Sequence, residues 1–293
     1  MPTRTTVIVT GGDASFFAFI HSAVLSLLAV GLDAEAEIAV LDQGLEPQQV
    51  EELLSLGCRV ARATWAIDVP EVLRRPAQIG LVARTALREY FPGFGVYLWF
   101  DADAWAQTRE FFDCMTQGAR SQGAALVREN GRGYRRHALY TRWWYGHMVR
   151  VCGPITGFRI ARKPAINIGV MALAANAPHW DAWRAMYERF IERCHRVNLD
   201  QHAFNAAVEM YRLPYALVSS RCNWIPRLSV PMWNADQSRL HEPAGAPLSV
   251  VHLAGPDKHE RYRLSCPDGE QIGTPLTYDA FRALQVHCHP SGV

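Results

Sequence analysis

The amino-acid sequence predicts an α/β fold in which helices cover both faces of a parallel sheet. In the first hundred residues, short apolar runs rich in β-branched residues alternate with longer runs of helical periodicity. Parallel strands need helical crossovers of this kind, and strands buried on both faces are apolar throughout. The chain has 293 residues, of which 49% are hydrophobic, and this is enough for one large domain or two small ones.

The first half of the chain gives the clearest signals. A short β-rich run stops at Gly11-Gly12, Pro47 opens a helix that Gly57 ends, and the most strand-like run leads directly into Asp101. In chain order, we expect strands at 5–10, 37–41, 59–63 and 96–100, and helices at 16–28, 47–56 and 78–90.

The second half is less regular. Residues 128–163 are rich in arginine, glycine and aromatic residues without a clean period, so we predict an irregular insertion there. The remaining expected elements are a strand at 166–174, helices at 178–196 and 200–211, and a strand at 248–252. We therefore predict a single domain over residues 1–265, followed by a C-terminal extension over residues 266–293.

Charge and cysteine content argue against several protein classes. The net charge of +2 gives no field that would attract nucleic acid or a membrane surface. The apolar stretch at 16–30 is too short to span a bilayer and follows a strand-like run rather than a basic segment. Seven scattered cysteines without a C-x-x-C pair are typical of reduced thiols. We therefore expect a cytoplasmic protein without an integral membrane segment.

Two carboxylates, Asp101 and Asp103, follow the apolar strand at 96–100 directly. Ligands bind at the carboxyl edge of an open parallel sheet, and side chains at i and i+2 share one side if the strand continues to Asp103. Adjacent carboxylates repel each other unless a hard cation such as Mn²⁺ or Mg²⁺ lies between them. The pattern predicts a metal site that would neutralise a diphosphate, although D-x-D also occurs in solvated turns.

A second pattern lies near the last predicted strand, at His252, Gly255 and Lys258. A neutral imidazole completes a metal site that begins with two carboxylates, and a glycine lets a ligand approach the backbone. The lysine supplies a mobile positive charge suited to a phosphate. The alternative interpretation is a strand-end histidine beside a surface lysine.

Together these segments resemble glycosyltransferase family 8, which contains glycogenin and bacterial lipopolysaccharide galactosyl- and glucosyltransferases. The resemblance extends from about residue 7 to about residue 258. It rests on six motifs in the family's order, which are Val9-Thr10-Gly11-Gly12-Asp13, Ala83-Arg84, Leu98-Trp99-Phe100-Asp101-Ala102-Asp103, Asn167-Ile168-Gly169-Val170-Met171, Asp200-Gln201 with Phe204-Asn205, and the H-x-x-G-x-x-K pattern at 252–258.

The resemblance implies a GT-A fold, with a Rossmann-like mixed sheet between helices and an acceptor-side insertion at about 128–163. It implies a retaining transferase that moves a hexose from a UDP-sugar, of the UDP-glucose or UDP-galactose type, with Mn²⁺ or Mg²⁺ as cofactor. The expected metal ligands are Asp101, Asp103 and His252. The expected donor-binding residues are Gly11, Asp13, Arg84, Asp101, Asn167, Gly255 and Lys258. Asp200 and Gln201 are the expected catalytic residues, and they position sugar and acceptor for attack from the face that the diphosphate leaves.

Some features depart from the family's pattern or leave alternatives open. The family often continues K-P-W after the lysine, whereas here the sequence is Lys258-His259-Glu260, and the basic tail that docks some members on membranes is absent. Two alternative functions are compatible with the same fold and metal site. One is a nucleotidyltransferase that makes sugar nucleotides, and the other is a non-catalytic relative that binds a UDP-sugar. The aromatic and basic stretch at 134–145 fits either an acceptor lid or a packed loop. The sequence does not distinguish between glycan, protein and small-molecule acceptors.

Overall fold

The computed structural model describes residues 5–129 and 138–288. The strands in these ranges are β1 (Thr6–Gly12), β2 (Glu37–Asp42), β3 (Arg59–Arg62), β4 (Val96–Phe100), β5 (Ala104–Ala106), β6 (Ala124–Arg128), β7 (Ile166–Ala174), β8 (Ala216–Val218), β9 (Met232–Asn234), β10 (Arg239–His241), β11 (Val250–His252), β12 (Arg261–Ser265) and β13 (Gln271–Pro275). The helices are α1 (Phe17–Ala29), α2 (Pro47–Ser55), α3 (Ile79–Ala83), α4 (Leu87–Tyr90), α5 (Glu110–Gln122), α6 (Ala138–Cys152), α7 (Pro154–Ala161), α8 (His179–Cys194), α9 (Asp200–Met210) and α10 (Tyr278–Cys288). Among these described helices, none combines the length and apolar character that a bilayer crossing needs.

A mixed sheet forms the centre of the molecule. Its strand order in the described residues is β3-β2-β1-β4-β7-β6-β8. The four strands from the first hundred residues are parallel, as their alternation with helices predicts, whereas β7 runs antiparallel to β4 and β6. The predicted α/β fold with a mixed sheet is confirmed. Because β1 and β4 are parallel neighbours, their carboxyl ends lie side by side at one edge.

Helices cover both faces of this sheet. Strand side chains point alternately to the two faces, so in β4 Leu98 and Phe100 join one apolar cluster while Tyr97 and Trp99 join the other. Residues of α1, α2 and α5 contribute to the first cluster, and residues of α8 and α9 contribute to the second. Burial on both sides explains why the central strands are continuous apolar runs.

The C-terminal part packs against β5. The ring centroid of Trp105 lies 4.5 Å from that of Phe281 in α10, and Trp105 Nε1 donates to the Leu276 carbonyl at 2.8 Å. Strands β12 and β13 form an antiparallel hairpin that spans the boundary expected after residue 265. Residues of β13 and α10 therefore pack on the same apolar cluster as the tryptophans of the preceding segments.

The helix expected at 78–90 is wrong as a single element. The chain forms α3, a 3₁₀ turn at Arg84–Ala86, and then α4. The turn buries the side chain of Arg84, which is 5% exposed as a residue. The contacts of the buried Arg84 side chain favour a local departure from regular helix geometry. The spacing of apolar residues cannot predict this departure.

The stretch at 128–163 is more regular than its composition predicts, because it contains α6 and α7. Gly153, with φ 82°, and Pro154 separate the two helices. In α6, the buried residues Trp144, Met148 and Val151 recur at helical spacing. Arginine, tyrosine and valine between them obscure that period. The sequence patterns also miss α5 and the strand β6.

Candidate functional site

Asp101 and Asp103 lie in a turn at the carboxyl end of β4. The strand ends at Phe100, as predicted, so the condition that it continues to Asp103 is not met. The Asp101 amide donates to the Gly169 carbonyl at 2.7 Å, and the Ala104 amide donates to the Asp101 carbonyl at 2.9 Å as the chain enters β5. The two carboxylates therefore share one side because the backbone bends, not because strand side chains alternate.

His252 completes a cluster with these carboxylates. Strand β11 pairs with β5 and places His252 opposite Ala104. His252 Nε2 lies 3.5 Å from Asp101 Oδ2 and 3.4 Å from Asp103 Oδ1. One ligand atom from each of the three residues lies within 4.8 Å of the others. Two carboxylates and an imidazole in this arrangement fit a divalent cation such as Mn²⁺ or Mg²⁺.

The charges of this cluster strongly affect one another. Burial opposes ionisation of Asp103, yet His252 and Lys258 hold the pKa of Asp103 well below its usual range. Burial raises the pKa of Asp101 despite the attraction of Arg84 and His252. Burial opposes protonation of His252, but Asp103 and Asp101 raise its pKa above the usual value. The negative potential of Asp101 and Asp103 thus favours a positively charged group, such as a protonated imidazole or a cation, between the two carboxylates.

A chain of amides fixes the orientation of the His252 ring. The Gly169 backbone N–H donates to Asn167 Oδ1 at 2.8 Å, and Asn223 Nδ2 donates to the same oxygen at 2.9 Å. Asn223 Oδ1 therefore faces His252 Nδ1, at 2.8 Å, and accepts a hydrogen bond from it. With Nδ1 acting as the donor, the Nε2 lone pair of the neutral ring points toward the carboxylates.

Arg84 connects this cluster to helix α9. Its side chain is 6% exposed, Nη1 lies 3.4 Å from Asp101 Oδ1, and Nη2 contacts the buried carboxylate of Asp200. The guanidinium lies 5.7 Å from the ring centroid of Trp99 and 5.9 Å from that of Trp183. Burial lowers the pKa of Arg84, and the attraction of Asp101 opposes that shift. The structure thus brings Arg84 together with both a predicted metal ligand and a predicted catalytic residue.

Glu129 lies between two further residues of the predicted site. Its Oε1 accepts from Gln201 Nε2 and from Asn167 Nδ2, each at 3.0 Å. Glu129 follows β6 directly, as Asp101 follows β4. The hydrogen bonds from His252 through Asn223, Asn167 and Glu129 to Gln201 therefore form a continuous chain across the site.

A cavity of about 340 Å³ opens at the carboxyl ends of β1 and β4. Its size falls in the range typical of small-molecule sites. A Cβ at Gly11 would lie 2.7 Å from the Leu41 carbonyl oxygen, so only glycine fits this wall without a shift. Six predicted site residues line the cavity, namely Gly11, Asp13, Arg84, Asp101, Asp103 and Lys258.

Other predicted residues lie outside the wall of this cavity. Asn167 is buried and contacts Asn223 and Glu129. Gly255 is exposed in a turn with φ 130°, and a Cβ there would lie 3.1 Å from the Arg227 guanidinium. Within the aromatic and basic stretch, residues 134–137 lie outside the described part of the chain. The ring centroid of Trp144, in α6 rather than in a loop, lies 4.4 Å from that of His202.

Sequence patterns miss three residues that contact the site. Trp99 Nε1 donates to Asp101 Oδ1 at 2.6 Å, although the sequence assigned Trp99 only to an apolar strand. Glu129 carries a weaker signal than Asp101, because Arg128 separates it from the apolar run at 124–127 and both residues lie at the start of the stretch interpreted as irregular. Asn223 carries no sequence signal, because it lies in a short 3₁₀ segment between β8 and β9.

No protein-family model matches this chain, and no curated protein matches it in sequence. Solved structures match it in fold. A crystal structure of an active-site mutant of LgtC superposes with a TM-score of 0.58 at 18% identity, over 95% of this chain and 94% of that one. The galactosyltransferase LgtC in complex with donor and acceptor sugar analogues gives a TM-score of 0.56 at 17% identity, over 96% and 95%.

A mouse enzyme is similar in fold as well. Apo xyloside xylosyltransferase 1 gives a TM-score of 0.54 at 14% identity, over 85% of this chain and 97% of that one. Because all of these structural neighbours are glycosyltransferases, the chain has the GT-A fold that the sequence motifs predicted. The resemblance to family 8 is confirmed at the level of the fold, and the activity must be argued from the site itself.

Proposed function

We propose that this protein is a retaining glycosyltransferase that uses Mn²⁺ and transfers a hexose from a UDP-sugar, of the UDP-glucose or UDP-galactose type, to an acceptor. The observation that carries the proposal is the convergence of three metal-ligand candidates with two cations at one cavity. Asp101, Asp103 and His252 form the cluster, and Arg84 and Lys258 lie beside it. The cavity lies where the GT-A fold presents the carboxyl ends of its first strands.

The diphosphate end of the donor would lie at this cluster. Mn²⁺ held by the three ligands, or Mg²⁺ in its place, would neutralise negative charge on the diphosphate as the sugar leaves. Lys258 Nζ contacts Asp103 and donates to the Leu253 carbonyl at 3.0 Å, so its charge already lies at the cavity wall. Arg84 adds a second, buried positive charge that Asp101 and Asp200 hold in place.

The nucleoside end would lie against the first strand and turn. Gly11 and Gly12 leave this wall without side chains, and Asp13 caps the turn that follows. The Asp13 carboxylate accepts from the Ser15 amide at 3.0 Å and from its hydroxyl at 2.6 Å. This side of the cavity therefore combines an open backbone with one ordered carboxylate, which suits the ribose hydroxyls and base of a nucleoside.

Retention of configuration requires either a covalent glycosyl-enzyme or attack from the face that the leaving group departs. Asp200 is buried against Arg84, and the Gln201 amide donates to Glu129. Both contacts support positioning roles, because a nucleophilic carboxylate needs access to the anomeric carbon. We therefore propose attack from the departing face, with Asp200 and Gln201 orienting the sugar and the acceptor.

The test is a hydrolysis screen that measures UDP release from UDP-sugars in the presence of Mn²⁺, Mg²⁺ or EDTA. UDP-glucose, UDP-galactose and their N-acetyl and acid forms make up the panel. We expect one sugar nucleotide to give Mn²⁺-dependent UDP release. Asp103→Asn should abolish it, because this change removes a ligand charge, while the exposed control Asn176→Ala should keep it.

Two outcomes would contradict the proposal. Release of diphosphate from a sugar phosphate and UTP would identify a nucleotidyltransferase. Mn²⁺-dependent binding of a UDP-sugar without turnover, across a panel of glycan, protein and small-molecule acceptors, would identify a non-catalytic binding protein.

A further inference from the structure

A second cavity, of about 420 Å³, lies at the carboxyl end of α9. Its lining includes Arg128, Arg159, Lys163 and Arg212, with Glu209 as the one carboxylate among the lining residues. The lining therefore carries an excess of three positive charges. None of these residues lines the cavity at the carboxyl ends of β1 and β4.

Protein carboxylates neutralise only part of this charge. Lys163 pairs with Glu209. Within residues 5–129 and 138–288, no carboxylate forms an ion pair with Arg128, Arg159 or Arg212. Guanidinium groups are planar forks that bind phosphate or carboxylate oxygens in pairs, so three of them around one cavity favour an oxyanion ligand.

Arg128 is anchored by Tyr215, but one of its hydrogen-bond donors has no acceptor in the described part of the chain. Its Nη2 donates to the Tyr215 hydroxyl, and its guanidinium lies 5.6 Å from the centroid of the Tyr215 ring. The Nε atom of Arg128 is buried and finds no acceptor among the described residues. A buried donor without an acceptor is destabilising by about 1–3 kcal/mol, so an anion that reached it would remove that penalty.

The backbone at Arg212 gives a second indication. Arg212 follows the end of α9 with φ 51°, and the Leu213 amide donates to the Val208 carbonyl at 3.0 Å. Helices commonly end with glycine at such a left-handed position. An arginine there accepts a conformational cost and places its charge beside the cavity.

The cavity also lies within reach of the reacting end of the site. Gln201 and Glu209 are eight residues apart on α9, which corresponds to about 12 Å along the helix axis. Arg128 precedes Glu129, the acceptor of the Gln201 amide hydrogen bond. A molecule that spans this distance extends beyond a single sugar ring.

We propose that this basic cavity binds a phosphate or carboxylate group carried by the acceptor. The acceptor would then carry its negative charge about 12 Å, along α9, from the Gln201 end of the site. The assignment to the acceptor rests on the proposed function, whereas anion binding by the cavity does not.

The experiment measures binding of inorganic phosphate by isothermal titration calorimetry in metal-free buffer. The test variant is the double substitution Arg159→Gln/Arg212→Gln, which removes two exposed charges from the cavity lining. Arg162→Gln is the matched control, because Arg162 is exposed in the same region but lies over the Phe158 ring, 5.5 Å from its centroid, and does not line the cavity. Lys258→Ala controls for phosphate at the donor cavity.

We expect the phosphate Kd to rise by about tenfold for each arginine removed, since each loses a charge-assisted hydrogen bond. Arg162→Gln should stay within about twofold of the wild type, whereas a rise in Kd for Lys258→Ala alone would assign the bound phosphate to the donor cavity and overturn the proposal. Equal phosphate binding by the double variant and the wild type, or no phosphate binding by the wild type, would overturn the proposal. Competition by glucose 6-phosphate and by glucuronate then distinguishes a phosphate from a carboxylate ligand, and failure of both would also refute it.

UDP-sugar hydrolysis separates this proposal from the proposed function. The double variant should hydrolyse donor at the wild-type rate, because its changes lie outside the donor cavity. If the wild type hydrolyses no UDP-sugar, and it binds phosphate whereas the double variant does not, the proposed function fails and the anion site stands. If hydrolysis occurs and phosphate binding does not depend on the two arginines, the anion site fails alone.

Discussion

Replacing Asn223 with alanine tests whether the amide chain behind His252 sets the affinity of the metal site. The buried Asn223 side chain is 2.8 Å from His252 Nδ1 and 2.9 Å from Asn167 Oδ1. Alanine removes the acceptor of the Nδ1 proton but leaves Asn167 Oδ1 with the Gly169 amide as a donor. The change therefore acts mainly on the orientation and tautomer of the His252 ring.

Two independent estimates give a similar size for the loss of Mn²⁺ affinity in Asn223→Ala. Loss of an outer-shell hydrogen bond to a metal-binding histidine typically weakens metal affinity by about 10–100-fold. This factor corresponds to roughly 1.4–2.7 kcal/mol, and a buried donor left without an acceptor costs about 1–3 kcal/mol. We therefore expect Asn223→Ala to raise the Mn²⁺ dissociation constant by one to two orders of magnitude.

Titration of the protein with Mn²⁺, followed by calorimetry or by the paramagnetic resonance of free Mn²⁺, measures this constant. Asn223→Asp retains an oxygen that accepts from Nδ1 but loses the donor to Asn167 Oδ1 and adds a charge, so it should restore only part of the affinity. The exposed Asn176→Ala serves as the control for amide loss elsewhere. If folded Asn223→Ala protein, checked by thermal melting, binds Mn²⁺ like the wild type, the amide chain does not set the metal affinity.

Three further predictions concern the site and its surroundings. Gly169→Ala would place a Cβ 2.2 Å from His252 Cε1, so Mn²⁺ titration should show at least 100-fold weaker binding, whereas unchanged affinity would mean that the ring can move aside. Asp200→Asn leaves the buried charge of Arg84 without its closest partner, and urea denaturation should show a loss of about 3 kcal/mol. Turnover per folded molecule should fall as well, and unchanged turnover would remove Asp200 from the catalytic residues. Burial lowers the pKa of His202 from 6.5 to about 3, with a smaller effect from His147, so the unfolded chain binds a proton that the folded chain does not as pH falls from about 6.5 to 3. Denaturation at several pH values should show a contribution of about 1.4 kcal/mol of lost stability per pH unit in that window, and His202→Phe should remove this part of the slope.

The central strands could be predicted closely because the sheet buries both of their faces. The run at 166–174 matches β7 at both ends, and the run at 96–100 matches β4. Continuous apolar runs of this length have few alternative structures in a protein of this size. By contrast, β8, β9 and β10 have three residues each and contribute few buried side chains, so their sequences carry no comparable signal.

The candidate site could be predicted as a set of residues but not as a set of contacts. Gly11 and Asp101 reach one cavity because β4 ends beside β1, and the motifs indicate that edge. The contact between Glu129 and Gln201 joins residues 72 positions apart and depends on where β6 lies in the sheet order. The contact between Asn223 and His252 depends on a short segment outside any long element. Contacts of this kind follow from the assembled topology, which no local pattern specifies.

There is a physical reason for the two amide side chains, Asn223 and Asn167, that connect His252 to Glu129. The metal-ligand cluster already contains two carboxylates, an imidazole, a lysine and an arginine, and these charged neighbours shift the pKa values of Asp101, Asp103 and His252. A further charged group behind His252 would add to that competition, because electrostatic interactions are strong where water is excluded. Asn223 and Asn167 instead transmit orientation from the Gly169 backbone without adding charge, and they keep the same donors and acceptors at every pH at which the protein is folded. The next charged group along these hydrogen bonds is Glu129, which accepts from Asn167 and from the Gln201 amide. The proposed acceptor would lie near Gln201.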